Sequence, residues 1–558
     1  MARKPLFAIV LAAMVTGASC VPRSEQDPGR PGAPAAAAAT VAAPAETAVV
    51  TQKGDNARTG WSSHETALHH ANVAPSSFGR RVAYPVDGQV YAQPLFVPGL
   101  HVGGALHNAV IVATERDSVY AFDADAAGAA PAPLWHRSLL AGGAQPLSSR
   151  SDVSCDAIAP SIGITSTPVI DPATGMLYVV AASKEGGRAT FRIHALDLSS
   201  GRDRVPPVVL GGSVPGTGLG SDGGRQTFDA HRQLQRAGLL LVGGVVYVAF
   251  ASYCDRAPAG GWILGYRATD LRQAVVYDDT PDGFLGGIWE SGTGLSADDA
   301  GNLYVVPGNG TFDLDRGGPD AGNSLVELRP ANGGLALVDY FAPFNQTCLN
   351  RHDQELGSSG PLLLPGHGEV LLSGKEGRIY LTSLGHLGGF RPAPNPCTAD
   401  APRTDVDQVV QELPRDTLNG GVWGSQSYWS GAAGDFVYGA GSADHLKAWR
   451  LFDGRLLTPA ASQARETLGY PGGTPVVSSS GPAADTGIVW LLDQAHGPAL
   501  RAYDAADLGH ELYTSQATPG RDGLDSYVKF SVPTVAAGRV FVGTATHLAV
   551  YGLLPAAG

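Results

Sequence analysis

Thr167-Pro168-Val169-Ile170-Asp171, Leu177-Tyr178-Val179-Val180 and His194-Ala195-Leu196-Asp197 follow one another in this chain. They read as three short strands, because β-branched and aromatic residues cluster between turn-forming ones. The same unit stands upstream as Gln93-Pro94-Leu95-Phe96-Val97, Val110-Ile111-Val112-Ala113-Thr114 and Val119-Tyr120-Ala121-Phe122-Asp123. Further copies centre on Val246-Tyr247-Val248, Leu303-Tyr304-Val305, Val370-Leu371-Leu372 with Ile379-Tyr380-Leu381, and Phe436-Val437-Tyr438. Two more centre on Ile488-Val489-Trp490 with Ala502-Tyr503-Asp504, and on Val540-Phe541-Val542. That makes about eight copies of one antiparallel meander. A sheet apolar on both faces cannot bury itself, so the copies are expected to stack radially around an axis. The fold class expected is therefore all-β, an eight-bladed β-propeller. The last copy ends near Tyr551 without a fourth strand, whereas Arg81-Val82-Ala83-Tyr84-Pro85 precedes the first copy without a sheet. Closure of the ring by this N-terminal strand meets both shortages.

The copies lie roughly 50 to 75 residues apart, more than the ~40–50 that a bare four-stranded blade needs. The excess is expected in loops, the largest at about 141–159, 211–232, 312–323, 344–355 and 392–405, and loops on a rigid scaffold are where sites concentrate. Gly 74 and Pro 40 in 558 residues agree with many turns and no long helices. A net charge of −13 excludes the clustered basic surface that nucleic acid or an anionic bilayer requires. The one membrane attachment expected is a lipid anchor.

Arg3 and Lys4 followed by the apolar run Leu6 to Val15 read as an export signal, too short to span a bilayer. Gly17-Ala18-Ser19-Cys20 resembles a bacterial lipobox, which implies lipidation of Cys20, and Val21 at the next position implies sorting to the outer membrane. Residues 1–20 are thus expected to be a signal peptide of lipoprotein type. Residues 21–50, rich in Ala, Pro, Gly and Thr, are expected to be a flexible linker, and 51–558 a single propeller domain. In an oxidising compartment Cys155, Cys254, Cys348 and Cys397 allow three pairings, of which Cys155 with Cys254 and Cys348 with Cys397 is favoured. No CxxC or CxxCH spacing supports a zinc ribbon or covalent haem.

The opening strands and the Tyr-Ala-x-Asp type of ending resemble the repeats of the pyrroloquinoline quinone (PQQ) propeller superfamily over about residues 83–554. Its members include eight-bladed quinoprotein alcohol dehydrogenases and cofactor-free binding or assembly proteins. With Asp55-Asn56-Ala57-Arg58-Thr59-Gly60 ahead of the first blade, the chain looks closest to secreted bacterial members for which no activity is implied. Against the dehydrogenases, Gly374-Lys375-Glu376-Gly377-Arg378-Ile379-Tyr380 resembles the segment whose cation contacts the quinone, with Lys375 in its place. Gly308-Asn309 resembles a Gly-Asn pair that supplies a calcium ligand, and Glu185 ahead of Asp197 is similar in spacing to a second ligand. Calcium suits such oxygen donors and acts as a Lewis acid on a quinone carbonyl. Two departures are specific. Ser154 precedes Cys155, so the adjacent-cysteine lid of those enzymes cannot form, and Leu356 stands where their catalytic Asp is expected. Asp353 and Glu355 are the carboxylates beside that place that an alcohol-deprotonating base would have to use.

Trp289 and Trp423, each after a Gly-Gly pair, are candidates for the aromatic floor of a flat ligand as well as for rim packing. Asp313, Asp315, Asp320 and Asn323 lack EF-hand spacing and read as a solvated loop. The missing lid and base favour a secreted or lipid-anchored binding or scaffold propeller on the cell envelope, periplasmic or at the cell surface, monomeric, its face meeting a protein or a glycan. The alternative is a PQQ- and calcium-dependent oxidoreductase acting on an alcohol or sugar.

Overall fold

A computed structural model describes residues 47–394, 396–398 and 406–555. The export signal, Cys20 and most of the linker segment lie outside these residues. Eight antiparallel sheets form the blades of a propeller, joined by one extra two-stranded hairpin, Ser213–Pro215 with Arg225–Thr227. Blade 1 runs outward as Leu95–Val102, Ala105–Ala113, Ser118–Asp123 and Trp135–Ser138. Blades 2 to 7 open with Val169–Asp171, Leu240–Val242, Ser296–Ala297, Leu362–Leu364, Ser427–Gly431 and Val476–Ser478. Blade 8 takes Thr534–Ala536, Arg539–Gly543 and His547–Leu553 from the C-terminus and its outer strand, Phe78–Pro85, from the N-terminus. The ring is closed as the unpaired strands required.

Strand alternation explains why the copies stack. In the second strand of blade 2, Leu177, Val179 and Ala181 pack with blade 1, while Tyr178, Val180 and Ala182 pack with blade 3. Every junction between adjacent blades, including blade 8 with blade 1, carries its own apolar cluster. Recurrent tyrosines add a polar tie: the hydroxyls of Tyr84, Tyr178 and Tyr438 donate to the carbonyls of Asp123, Ala268 and Ala505 in the following blade. Each buries a large ring while satisfying its one hydroxyl.

Eight innermost strands turn open edges toward the axis, and those backbone groups need partners. The segment ahead of the first blade supplies them in order. Val49 bridges Phe96 of blade 1, and Val50 accepts from Ile170 of blade 2. Asn56 donates to Leu241 of blade 3 and accepts from Ala297 of blade 4, and Ala57 accepts from Leu363 of blade 5. Thr59 and Gly60 accept from Tyr428 and Val477 of blades 6 and 7, and the Ser62 hydroxyl donates to Val535 of blade 8. Arg58, 0% exposed, ties the circuit together by donating to the carbonyls of Gln52, Leu239 and Leu295 and to the Thr51 hydroxyl. Val49 and Val50, the last two residues of the expected linker, thus already pair with blades 1 and 2.

Disulfides join Cys155 to Cys254 and Cys348 to Cys397. The first closes 99 residues of chain, a constraint of about 4–5 kcal/mol in the chain-entropy account. Two such bonds fit an extracytoplasmic protein. Among the described residues no helix is long and apolar enough to cross a membrane.

Candidate functional site at the mouth of the axial funnel

Loops between successive blades converge on one face around an open pocket of about 510 Å³, its solvent-filled mouth included. They bring Ala157 from the junction of blades 1 and 2, Arg236 from 2 and 3, and Trp289 with Ser291 from 3 and 4. The later junctions add Glu355 and Ser358, then Trp423, Tyr470, and Lys529 with Phe530, while Asp255 and Lys375 enter from turns within blades 3 and 5. Asp353, Glu355, Lys375, Trp289 and Trp423, widely separated in sequence, thus meet at one place.

The helix Gln346–His352 ends at Asp353, whose left-handed conformation (φ 52°) lets its N–H return to Leu349 and turns the chain back toward the axis. Lys375 stands between two carboxylates, its Nζ 2.9 Å from Asp353 Oδ1 and 2.8 Å from Glu355 Oε2. The segments around it contain glycine for a steric reason: a Cβ on Gly374 would lie 2.7 Å from the Glu355 carbonyl oxygen, and one on Gly308 would lie 2.8 Å from Glu355 Oε1. Burial pushes the Glu355 carboxyl up to about 7, against the pull of Lys375 and with the push of Asp255 and Asp353. Burial acts against the charge of Lys375, but Glu355 and Asp353 outweigh it and hold the ammonium above its usual range. Lys529 is brought down to about 8 by burial and by repulsion from Arg236.

Oxygens of Asp255, Asp353 and Glu355 all lie within 4.8 Å of one another. This all-oxygen set matches what calcium accepts, ligands at about 2.3–2.6 Å, once the Lys375 ammonium is displaced from between two of them. Asn309 stands beside the set but serves it differently: its Nδ2 donates to Asp353 Oδ1 at 2.8 Å and its Oδ1 accepts from Asn323. Its amide thereby orients Asp353. Glu185 lies outside this pocket, in a two-bond ion pair with Arg192 across the hairpin of blade 2. Asn323, expected in a solvated loop, is fully buried and holds Asn309 and the Leu356 N–H.

Trp289 and Trp423 are half-buried in the pocket wall, and Trp423 packs edge-on against Tyr470, which is 52% exposed at the rim. No adjacent-cysteine lid exists. The Cys155–Cys254 bridge instead ties together the two rim loops that carry Ala157 and Asp255. At the pocket floor stands Arg236, which sequence reading passed over. Its guanidinium lies 4.5 Å from the Phe530 ring centre and 5.8 Å from that of Trp289. The available signal was positional: Arg236 sits a few residues ahead of the opening strand of its blade, where Gln93 and Thr167 stand in blades 1 and 2 and also face the axis.

No protein-family model matches the sequence, and neither does any curated protein sequence. Solved structures do match the fold. Quinohemoprotein alcohol dehydrogenase from Comamonas testosteroni superposes with a TM-score of 0.58 at 14% identity, over 92% of this chain and 82% of its own. Quinohemoprotein alcohol dehydrogenase ADHIIG from Pseudomonas putida HK5 gives 0.58 at 12%, over 92% and 81%. A europium-containing methanol dehydrogenase gives 0.54 at 13%, over 91% and 98%. At these identities the likeness establishes a shared fold, the eight-bladed propeller of quinoprotein alcohol dehydrogenases.

Proposed function

We propose that the protein is a binding propeller of the cell envelope, exported and lipid-anchored through Cys20, whose funnel face takes a polyhydroxy ligand such as a glycan. One observation carries this reading: half-exposed aromatic rings of Trp289, Trp423 and Tyr470 border the same pocket as the Lys375, Asp353 and Glu355 cluster. Aromatic faces receive the apolar C–H faces of sugar rings, and the charged groups exchange hydrogen bonds with hydroxyls. Titration of the purified chain with monosaccharides, followed by tryptophan fluorescence or calorimetry, tests it. Saturable binding that Trp423→Ala weakens at least tenfold is expected. Absence of any sugar-dependent signal up to high millimolar concentration would sink the reading.

A second reading, a PQQ- and calcium-dependent oxidoreductase, draws on the Asp255, Asp353 and Glu355 oxygens with Lys375 in a fold shared with quinoprotein dehydrogenases. The quinone, when bound, would supply the electron acceptor for alcohol oxidation. Trp289 and Trp423 would flank it, Lys375 would face a carbonyl oxygen, and Asp353 or Glu355 would supply the carboxylate that takes a proton. Incubation with PQQ and calcium followed by dye reduction with alcohols and sugars decides it, and no quinone binding at micromolar concentration ends it.

A further inference from the structure

Below the funnel pocket the axis holds a second, smaller chamber, lined by Gln52, Tyr91, Thr165, Thr167 and Thr293 among others, with Arg236 and Phe530 shared by both spaces. The N-terminal circuit forms its floor through Gln52, whose amide donates to the Gly292 carbonyl. It has room for about one or two water-sized groups. Arg236 is the one charged residue in its lining.

Arg236 is 8% exposed, and its Nη1 reaches only the Ser291 hydroxyl, at 3.4 Å. Its Nε and Nη2 are buried and meet no protein acceptor. A guanidinium held this way is costly, since buried charges and donors ordinarily find partners. The nearby carboxylate, Glu115, attracts Arg236 through space but makes no hydrogen bond to it: Glu115 Oε2 accepts from the Gly163 N–H and the Thr165 hydroxyl, and Oε1 is buried without a protein partner. Nε and Nη2 are neighbours on one edge of the guanidinium, and that edge matches the two oxygens of a single carboxylate in a fork. Stacking on Phe530 fixes the plane of the fork.

We propose that Arg236 is the anchor of a carboxylate subsite beneath the funnel, so that the ligand is an acidic saccharide whose ring rests in the aromatic pocket while its carboxylate reaches the guanidinium. This rests on the glycan reading above and narrows it to uronic acids. A carboxylate, planar and small, suits the chamber better than a tetrahedral phosphate. Lys529, at the rim of the same pocket, adds attraction for an anion on its way in.

The test uses matched pairs that differ only at C6, glucose with glucuronate and galactose with galacturonate, titrated into the full chain, with acetate as the free anion. The expected result is that one uronate binds roughly tenfold to a hundredfold more tightly than its neutral partner. Arg236→Met should abolish that preference, bringing the uronate down to the affinity of its neutral partner, and its melting temperature should equal or exceed that of the native chain, because an unpaired buried charge has been removed. Arg236→Lys should recover only part of the preference, lacking the fork. Equal binding of a uronate and its neutral partner overturns the inference and leaves the glycan reading standing. Binding of neither sugar overturns both. Acetate binding that matches the uronates, with no contribution from the ring, overturns the saccharide assignment. Should the Met variant fail to fold, the uronate-to-neutral ratio of the native chain still decides.

Discussion

Glu355 is where a single side chain couples stability to the site. It is almost wholly buried, and its pKa stands at about 7 against an ordinary 4.5, burial being the largest cause. A carboxyl with a raised folded-state pKa favours the folded state while protonated. Its contribution is present below about pH 4.5 to 5 and is lost as pH rises through 7. Glu355→Gln keeps the hydrogen-bonding shape without the charge, so it should gain stability relative to the native chain above pH 7, by up to about 3 kcal/mol, and show little difference near pH 5. Urea midpoints at the two pH values check this, and a variant less stable at the higher pH would show that the Lys375 pair outweighs burial. Lys375, Asp353 and Glu355 were legible through the resemblance of Gly374-Lys375-Glu376-Gly377 and of the stretch before Leu356 to dehydrogenase segments, and Asp353 and Glu355 also fall in the expected loop 344–355. Glu185 illustrates the limit of that method. Its spacing to Asp197 singled it out by resemblance, but nothing local reveals that Arg192, four residues beyond its cross-strand partner Arg188, would engage it. Arg236 shows the converse: a lone arginine without a motif, marked only by its place ahead of an opening strand, gains meaning once the loops between blades converge around it.

At the scale of elements, strands were readable and the axis was not. Apolar alternation and turn residues are local, so the eight meanders and the closing role of Phe78–Pro85 follow from sequence. The circuit from Val49 to Ser62 carries no periodicity, since each residue answers to a different blade, and its Ala- and Thr-rich approach reads as linker. Arg58 is its keystone because three backbone carbonyls and a hydroxyl depend on one guanidinium. Arg58→Ala should destabilise the protein by about 3–5 kcal/mol, the cost of leaving several buried acceptors unpaired. Arg58→Lys should recover little, because an ammonium cannot span acceptors that the planar fork reaches. Denaturant midpoints give the magnitude. Limited proteolysis within residues 47–63 tells whether the circuit detaches first, as expected if it docks onto a preformed ring, and cleavage starting instead within the blades would contradict that order.

The molecule as a whole buries several carboxyls, and this sets the pH at which it is most stable. Burial raises Glu115, Asp278 and Glu355 to about 7 and Glu290 to about 8. Each contributes stability that is complete below its unfolded value and is lost as pH climbs through its folded one. Glu185 and Asp197 are held below their usual range, and their contribution is the opposite: present above the ordinary carboxylate values and lost as pH falls below them. In Glu185 the largest cause is its hydrogen bond to Arg192; in Asp197 burial opposes the shift, and Ser199 and Arg204 outweigh it. Between the two sets lies a maximum near pH 5. On the alkaline side Lys53, a member of the N-terminal circuit whose ammonium is buried against Ser425 and Ser427 and pulled down to about 7, begins to favour the folded state as pH rises from 7 toward 10.5, since only the unfolded chain then holds that proton. The urea midpoint should therefore be highest near pH 5, fall through about pH 8, and then level or recover in part. A midpoint that stays flat or rises from pH 5 to pH 8 would mean that these carboxyls are solvated or paired in solution.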